Sequence, residues 1–238
     1  LGFPEGMVAK EYKNPFPKEN ALALIVRGAT TRYSQRSNEQ FMKMAQICTT
    51  ALDSIPGNTA IFFPSYFLMD QVHVHLSQSK KVYKEHPNMS KQEKQALLKD
   101  FKQEWFNGGV LLAVVGGSFS EGVDLPADFL KGVIIIGLPL VRPDLFTKEL
   151  IGYYEKLYKK GWDYGYTFPA FTKALQSAGR CIRTETDRGV ILFVDERYAW
   201  DRYYNCFPSQ LAPKTTSFYQ QSIVEIFEKG KNSTDKKA

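Results

Sequence analysis

Cysteine is scarce. Cys48, Cys181 and Cys206 are the three in 238 residues, far apart and without a CxxC pair. This excludes a disulfide framework and an all-cysteine metal site, and it suits a reducing compartment. Histidine is equally scarce. His73 and His75 stand two apart on an expected helix, so their side chains diverge and cannot share a metal, and His86 lies in a polar connection. No metal ligand set is therefore expected. No apolar run approaches the roughly 20 residues that cross a bilayer. The expectation is a protein without membrane attachment, cytoplasmic, or nuclear in a eukaryote. Leu1-Gly2-Phe3-Pro4-Glu5-Gly6 shows neither a signal pattern nor an initiator Met, so the chain reads as a piece of something longer.

Three catalytic signatures are also missing. Lys229-Gly230-Lys231-Asn232 is not a Walker A motif, and no GxGxxG follows a strand. Gly117-Ser118-Phe119-Ser120-Glu121-Gly122 comes nearest to a nucleophile elbow but has the wrong spacing. A self-sufficient P-loop ATPase, a dinucleotide enzyme and a serine hydrolase all lack support.

What is present is ordinary in bulk: 43% hydrophobic and 24% charged, enough to bury a core unaided. The net charge of +6 suits a polyanionic partner without requiring one. Residues 1–20 read as an extended lead-in. Near-continuous apolar runs at 21–26, 59–63, 110–115, 133–139 and 190–194 read as buried strands, with a short one at 81–83. Between them come helical patterns. Ser37 or Asn38 can cap one whose apolar face is Phe41, Met44, Ala45, Cys48 and Leu52. A second runs from Tyr66 to about Gln78. Ser90 with Glu93 is a capping box for a third, reaching Trp105-Phe106. A helical insertion is expected at about 143–165, and Trp162 to Tyr166 read as an aromatic link into the next helix. Asp195 starts another helix. Residues 209–238 read as an extension, with a weak helix at 218–228 and a disordered end. The fold class is α/β, a parallel sheet with helices on both faces, from residue 21 to 208. In such sheets ligands sit at the carboxyl ends of strands, which points to the loops after Phe63, Val115 and Leu138.

Two stretches carry chemistry. After the strand ending at Val115, two glycines permit close backbone approach, Ser118 and Ser120 offer donors, and Glu121 and Asp124 offer carboxylates. Further on, Gln176, Gly179, Arg180 and Arg183 are spaced to share one helix face, where two arginines one turn apart suit a polyanion. Gly179 is roughly 1 kcal/mol worse than Ala in a helix, which suggests a close approach at its backbone. Taken alone, both stretches also read as ordinary solvated segments.

Together they resemble a family. Ala60-Ile61-Phe62-Phe63-Pro64-Ser65-Tyr66 resembles helicase motif IV, residues 116–126 motif V, and Gln176-Ser177-Ala178-Gly179-Arg180-Cys181-Ile182-Arg183 motif VI. In this order they look like the second RecA-like motor domain of the XPD/DinG-like superfamily 2 iron–sulfur DNA helicases. Coverage runs roughly from Leu24 to Arg197. The resemblance implies 5′→3′ unwinding driven by ATP with Mg2+, of nucleotide-excision-repair type. It implies that Arg180 and Arg183 reach the phosphates, with Arg183 the arginine finger and Gln176 positioning them. Asp124 would take the ribose, with Glu121, Gly122 and Gly179 supporting the nucleotide. Ser65, Tyr66, Ser118 and Ser120 would face single-stranded DNA, joined by Arg32, Arg36 and Trp162. Walker motifs and a 4Fe-4S cluster are expected in the first motor domain of the same protein, which is the implied partner. Within this chain they are absent. A non-enzymatic RecA-like module that binds nucleic acid or a partner protein remains the alternative.

Overall fold

The computed structural model describes residues 17–234 apart from 78, 121–128, 141 and 183, and before them only 6, 8 and 10. The strands are β1 (Ala21–Val26), β2 (Asn58–Phe63), β3 (Lys81–Lys84), β4 (Gly109–Val114), β5 (Leu130–Ile136), β6 (Gly189–Val194) and β7 (Lys214–Thr216). They form one sheet in the order β3-β4-β2-β5-β6-β1-β7, with every pairing parallel. Such a sheet must be covered on both faces, and the strand residues alternate between two cores. Ile61, Phe63, Leu192 and Val194 enter one, with Phe41, Met44, Cys48 and Leu52 of α1 (Asn38–Ser54), Leu68 of α2 (Tyr66–His73) and Ile223 of α7 (Tyr219–Thr234). Ala60, Phe62, Ile191 and Phe193 enter the other, with Phe101 of α3 (Lys91–Gln103) and Phe171 and Ala174 of α5 (Phe168–Ala178).

The helix starts follow the local chemistry. The Ser37 hydroxyl accepts from the Gln40 amide, and Ser90 with Glu93 forms both bonds of the capping box. Other expectations need correction. Helix α2 stops at His73 rather than near Gln78, because the next apolar residue, Val74, is 74% exposed and buries nothing. The aromatic link is itself helical. A π-helical turn, Asp163–Thr167, runs straight into α5, and its Gly165 backs onto Ile151 of α4 (Leu145–Tyr158) so closely that a Cβ would meet Ile151 N at 2.8 Å. Helix α4 has no buried residue and ends on Lys159 in the left-handed conformation, at φ 56°. The segment after Asp195 is first a 3-10 turn (Glu196–Ala199) and then the short α6 (Asp201–Tyr204). Beyond residue 208 the sheet gains β7 as its edge, and α7 continues to Thr234, where disorder was expected. Burial of Ile223 against the α1 face gives that helix its anchor.

One of the crossovers positions the site. β2 lies between β4 and β5, so the chain leaving β4 at the carboxyl edge must re-enter at the opposite edge, across one face. Residues 115–120 begin this crossing without a helix. Phe119, 1% exposed, joins Phe171, Ala174 and Ala178 in the second core. The loop therefore lies along α5.

The carboxyl edge of β5, β6 and β1 is tied by a buried polar network. Asp195, fully buried, accepts from the Thr31 amide (2.8 Å), the Thr31 hydroxyl (3.1 Å) and Nε and Nη2 of Arg197 (both 2.8 Å). Arg197 Nη2 also donates to Thr31 Oγ1 at 2.7 Å, and the Tyr198 hydroxyl donates to the Gly137 carbonyl at 2.8 Å. Gly137, at φ +68°, has room for no side chain: a Cβ would lie 2.3 Å from Thr31 Oγ1. Asp195→Asn leaves a buried guanidinium without its counter-charge. The expected loss is about 3 kcal/mol or more of unfolding free energy in a denaturant titration. A loss below about 1 kcal/mol would show that the pair does not hold this edge.

Candidate functional site

Helix α5 sets the position of the arginine segment, and it ends earlier than the periodicity suggests. Its last residue is Ala178 and Gly179 is the C-cap, so Gly179 and Arg180 do not continue the face that carries Gln176. Gln176 is exposed in the final turn. Arg183 lies outside the described residues. Gly179 has an ordinary φ of −64°, and a Cβ there would meet only Leu175 O at 3.4 Å and Gln176 O at 3.7 Å. No close packing of described residues requires this glycine.

The segment lies at the amino edge of the sheet, where α5 leads into β6. Cys181 is buried, with Sγ 3.5 Å from Val190 O and 3.9 Å from Leu130 O, at the amino ends of β6 and β5. Its sulfur lies 2.4 Å from where a Cβ on Gly189 would stand. Burial pushes the thiol up to about 12, so Cys181 is a packing group and not a nucleophile. Residues 115–120 leave the carboxyl end of β4 and run toward α5.

The two motif-like stretches meet there. Arg180 donates through Nε at 2.8 Å and Nη2 at 2.5 Å to the Ser120 carbonyl, sixty residues away in sequence. Hydrogen bonds from a charged donor contribute about 1.5–3 kcal/mol. Burial of the Phe119 side chain contributes about the same. Neither dominates: the phenyl group holds the loop down, and the guanidinium fixes its direction. Ser120 is 2% exposed and its hydroxyl donates to the Gly117 carbonyl at 3.1 Å, so it is turned into the loop rather than outward. Glu121, Gly122 and Asp124 lie outside the described residues.

At the carboxyl edge, Ser65 is the N-cap of α2 and accepts from the Leu68 amide at 3.3 Å. Tyr66 is half-buried. Its phenol pKa is raised by burial first, then by the negative charge of Glu85. Glu85 was not among the residues singled out from sequence. It follows β3, is 1% exposed, and accepts from the Val114 amide at 2.9 Å and the Ser118 amide at 3.1 Å. A single Glu in a polar connection carries no mark of burial in one sequence. Gly117, where a Cβ would lie 2.9 Å from Glu85 Oε1, is the one trace of it.

The remaining candidates stand on other elements. Arg32 and Arg36 are exposed in the loop after β1. Arg36 Nε donates to the Thr31 carbonyl at 3.1 Å, and its guanidinium lies 5.4 Å from the Tyr33 ring centroid. Trp162 is 55% exposed, edge-on to Tyr166 at 5.5 Å, beside an aromatic cluster of Tyr154, Tyr158 and Tyr164. His75 is paired to Asn38 Oδ1 at 2.8 Å.

Arg180 is held on the Ser120 carbonyl, with Gln176 exposed one turn before it. Among the described residues no three His, Cys, Asp or Glu side chains gather, so a metal or cluster finds no ligand set there. Among the same residues no helix is long and apolar enough to cross a membrane.

Comparison with known proteins places the chain in a family. The profile of the helicase C-terminal domain family matches residues 48–214. A probable ATP-dependent helicase of Methanocaldococcus jannaschii is 29% identical over 206 residues, covering 79% of this chain and 30% of that protein. The ATP-dependent DNA helicase DDX11 of Mus musculus is 29% identical over 218 residues, covering 77% of this chain and 24% of that protein. The chain thus spans about a quarter to a third of the length of these curated relatives. A solved apo XPD structure superposes with a TM-score of 0.68 at 23% identity, over 83% of this chain and 40% of that one, and so shares the RecA-like fold. With a parallel sheet of this order and a profile match over most of its length, the chain belongs to the helicase C-terminal domain family.

Proposed function

We propose that this chain works as the second motor domain of an ATP-dependent 5′→3′ DNA helicase of nucleotide-excision-repair type, supplying an arginine finger and contacts to single-stranded DNA. The observation that carries the reading is the seat of Arg180 on the Ser120 carbonyl, which joins the motif VI and motif V stretches. The relatives named as DNA helicases support DNA as the track.

ATP with Mg2+, bound between this domain and a first motor domain, supplies the phosphoryl group and the free energy. The chain's own part is positive charge and orientation. Arg180 is held by a backbone carbonyl, so the turn after α5 has a fixed origin. Arg183, three residues on, is the finger that meets charge on the phosphoryl group. Gln176 orients the pair from the last turn of α5, with Gly179 leaving the turn uncrowded. Asp124 accepts from the ribose, and Glu121 and Gly122 shape the loop around it. Ser65, Tyr66 and Ser118 line the carboxyl edge toward the single strand. There Ser120 acts through its backbone, and Arg32, Arg36 and Trp162 add charge and stacking. The first motor domain is the partner that brings the Walker motifs and the 4Fe-4S cluster. The expected location is cytoplasmic, or nuclear in a eukaryote.

The purified chain should hydrolyse ATP only at background, since it offers one side of the site. Robust turnover that Arg183→Ala abolishes would contradict this. In a protein joining the chain to its first motor domain, Arg183→Ala or Arg180→Ala should cut ATP turnover by about 10³-fold or more. The Kd for single-stranded DNA should move by less than about threefold. A selective loss of DNA binding would reassign the arginines to the nucleic acid. A stand-alone binding module would bind the strand with no dependence on ATP in either setting.

A further inference from the structure

We propose that Glu85 is a positioning residue that clamps the loop after β4 and thereby links the carboxyl edge of the sheet to Arg180. Glu85 is 1% exposed, and its carboxylate binds two segments at once. It accepts from the Val114 amide at the end of β4 and from the Ser118 amide in the loop. Its negative charge also acts on the Tyr66 phenol at the start of α2. Its own strand end is fixed on both sides: the Glu85 amide donates to the Leu112 carbonyl at 2.8 Å, and Lys84 Nζ pairs with Asp70 of α2 at 2.6 Å.

The clamp continues into the loop without slack. The Ser120 amide and the Ser120 hydroxyl both donate to the Gly117 carbonyl at 3.1 Å, closing a tight turn over residues 117–120. The Ser120 carbonyl then receives Arg180. A displacement at Ser118 reaches the arginine through the turn over residues 117–120 and the Ser120 carbonyl, all contacts of hydrogen-bond length. Gly117 belongs to the same device. A Cβ there would lie 2.8 Å from Val114 O and 2.9 Å from Glu85 Oε1, so any side chain would push the carboxylate off the loop.

The test is Glu85→Gln in the full chain, read by NMR. A glutamine keeps the size but offers one carbonyl oxygen to two amides. Exchange of the Ser118 amide is expected to quicken by about tenfold or more. The Arg180 Nε–H signal should shift, and the amides of Ile25 and Leu192 should keep their protection. The Tyr66 phenol should titrate lower than in the wild type, yet still above the ordinary value, because burial remains its larger cause. Gly117→Ala should reproduce the Ser118 and Arg180 changes, and it decides the matter should Glu85→Gln not fold. Unchanged Ser118 exchange in a folded variant would overturn the clamp, as would a loss of protection spread evenly over β1 and β6. None of these readouts uses ATP or DNA, so they stand apart from the helicase reading. The link to Arg180 rests on that reading for its consequence. In a protein joined to the first motor domain, Glu85→Gln should lower DNA-stimulated ATP turnover about tenfold, with the DNA Kd held within about threefold. Full stimulated turnover beside a loosened Ser118 would overturn the link while leaving the arginines' role intact.

Discussion

The sheet order forces the chain to travel from the carboxyl end of β4 to the amino end of β5 with β2 in between. Everything distinctive about the site follows from how that journey is made. An ordinary crossover would spend a helix on it. Here a loop begins the crossing instead, pinned by the phenyl group of Phe119 and by one guanidinium. Backbone polar groups that a helix would satisfy internally are therefore met from outside: Glu85 takes two amides, and Arg180 takes a carbonyl. The residues that satisfy the loop are the residues that connect it to its neighbours.

Two buried carboxylates divide the work of holding the carboxyl edge. Asp195 fastens β6 to the loop after β1 and shares a guanidinium with it. Glu85 fastens β3 to β4 and to α2. Between them lie β2 and β5, whose strand residues are buried except Lys131 and mostly apolar. The edge is thus stiff at both ends and supported by packing in the middle, which suits a surface that must present loops in fixed positions. Helix α4, with no buried residue, and the π-helical turn stand outside this frame.

Much of the fold was legible because buried parallel strands leave long apolar runs, and β2, β4, β5 and β6 are of that kind. β7 was not legible: Lys214-Thr215-Thr216 is short and polar, and only pairing to β1 makes it a strand. The end of α5 was misplaced for a different reason. Helical spacing continues past Ala178, but the chain must turn there to place Cys181 at the strand ends, and spacing does not register that demand. The motif-like stretches were readable as chemistry, yet the contact between them was not, because Arg180 and Ser120 stand sixty residues apart. Glu85 stayed invisible since its meaning lies in amides contributed by residues about thirty positions away.

In the proposed function, the loop of residues 115–120 joins the edge offered to single-stranded DNA to Arg180. The most direct measurement is a titration of the isotope-labelled chain with a single-stranded oligonucleotide, followed by NMR shift mapping. The expected result is perturbation centred on Ser65, Tyr66 and Ser118, with the Arg180 Nε–H signal moving in step. Exposed aromatics also stand at the other end of the sheet, where Trp105 and Phe106 follow α3 beside Gly57. Perturbation confined to Trp105 and Phe106, with Arg180 unmoved, would contradict it.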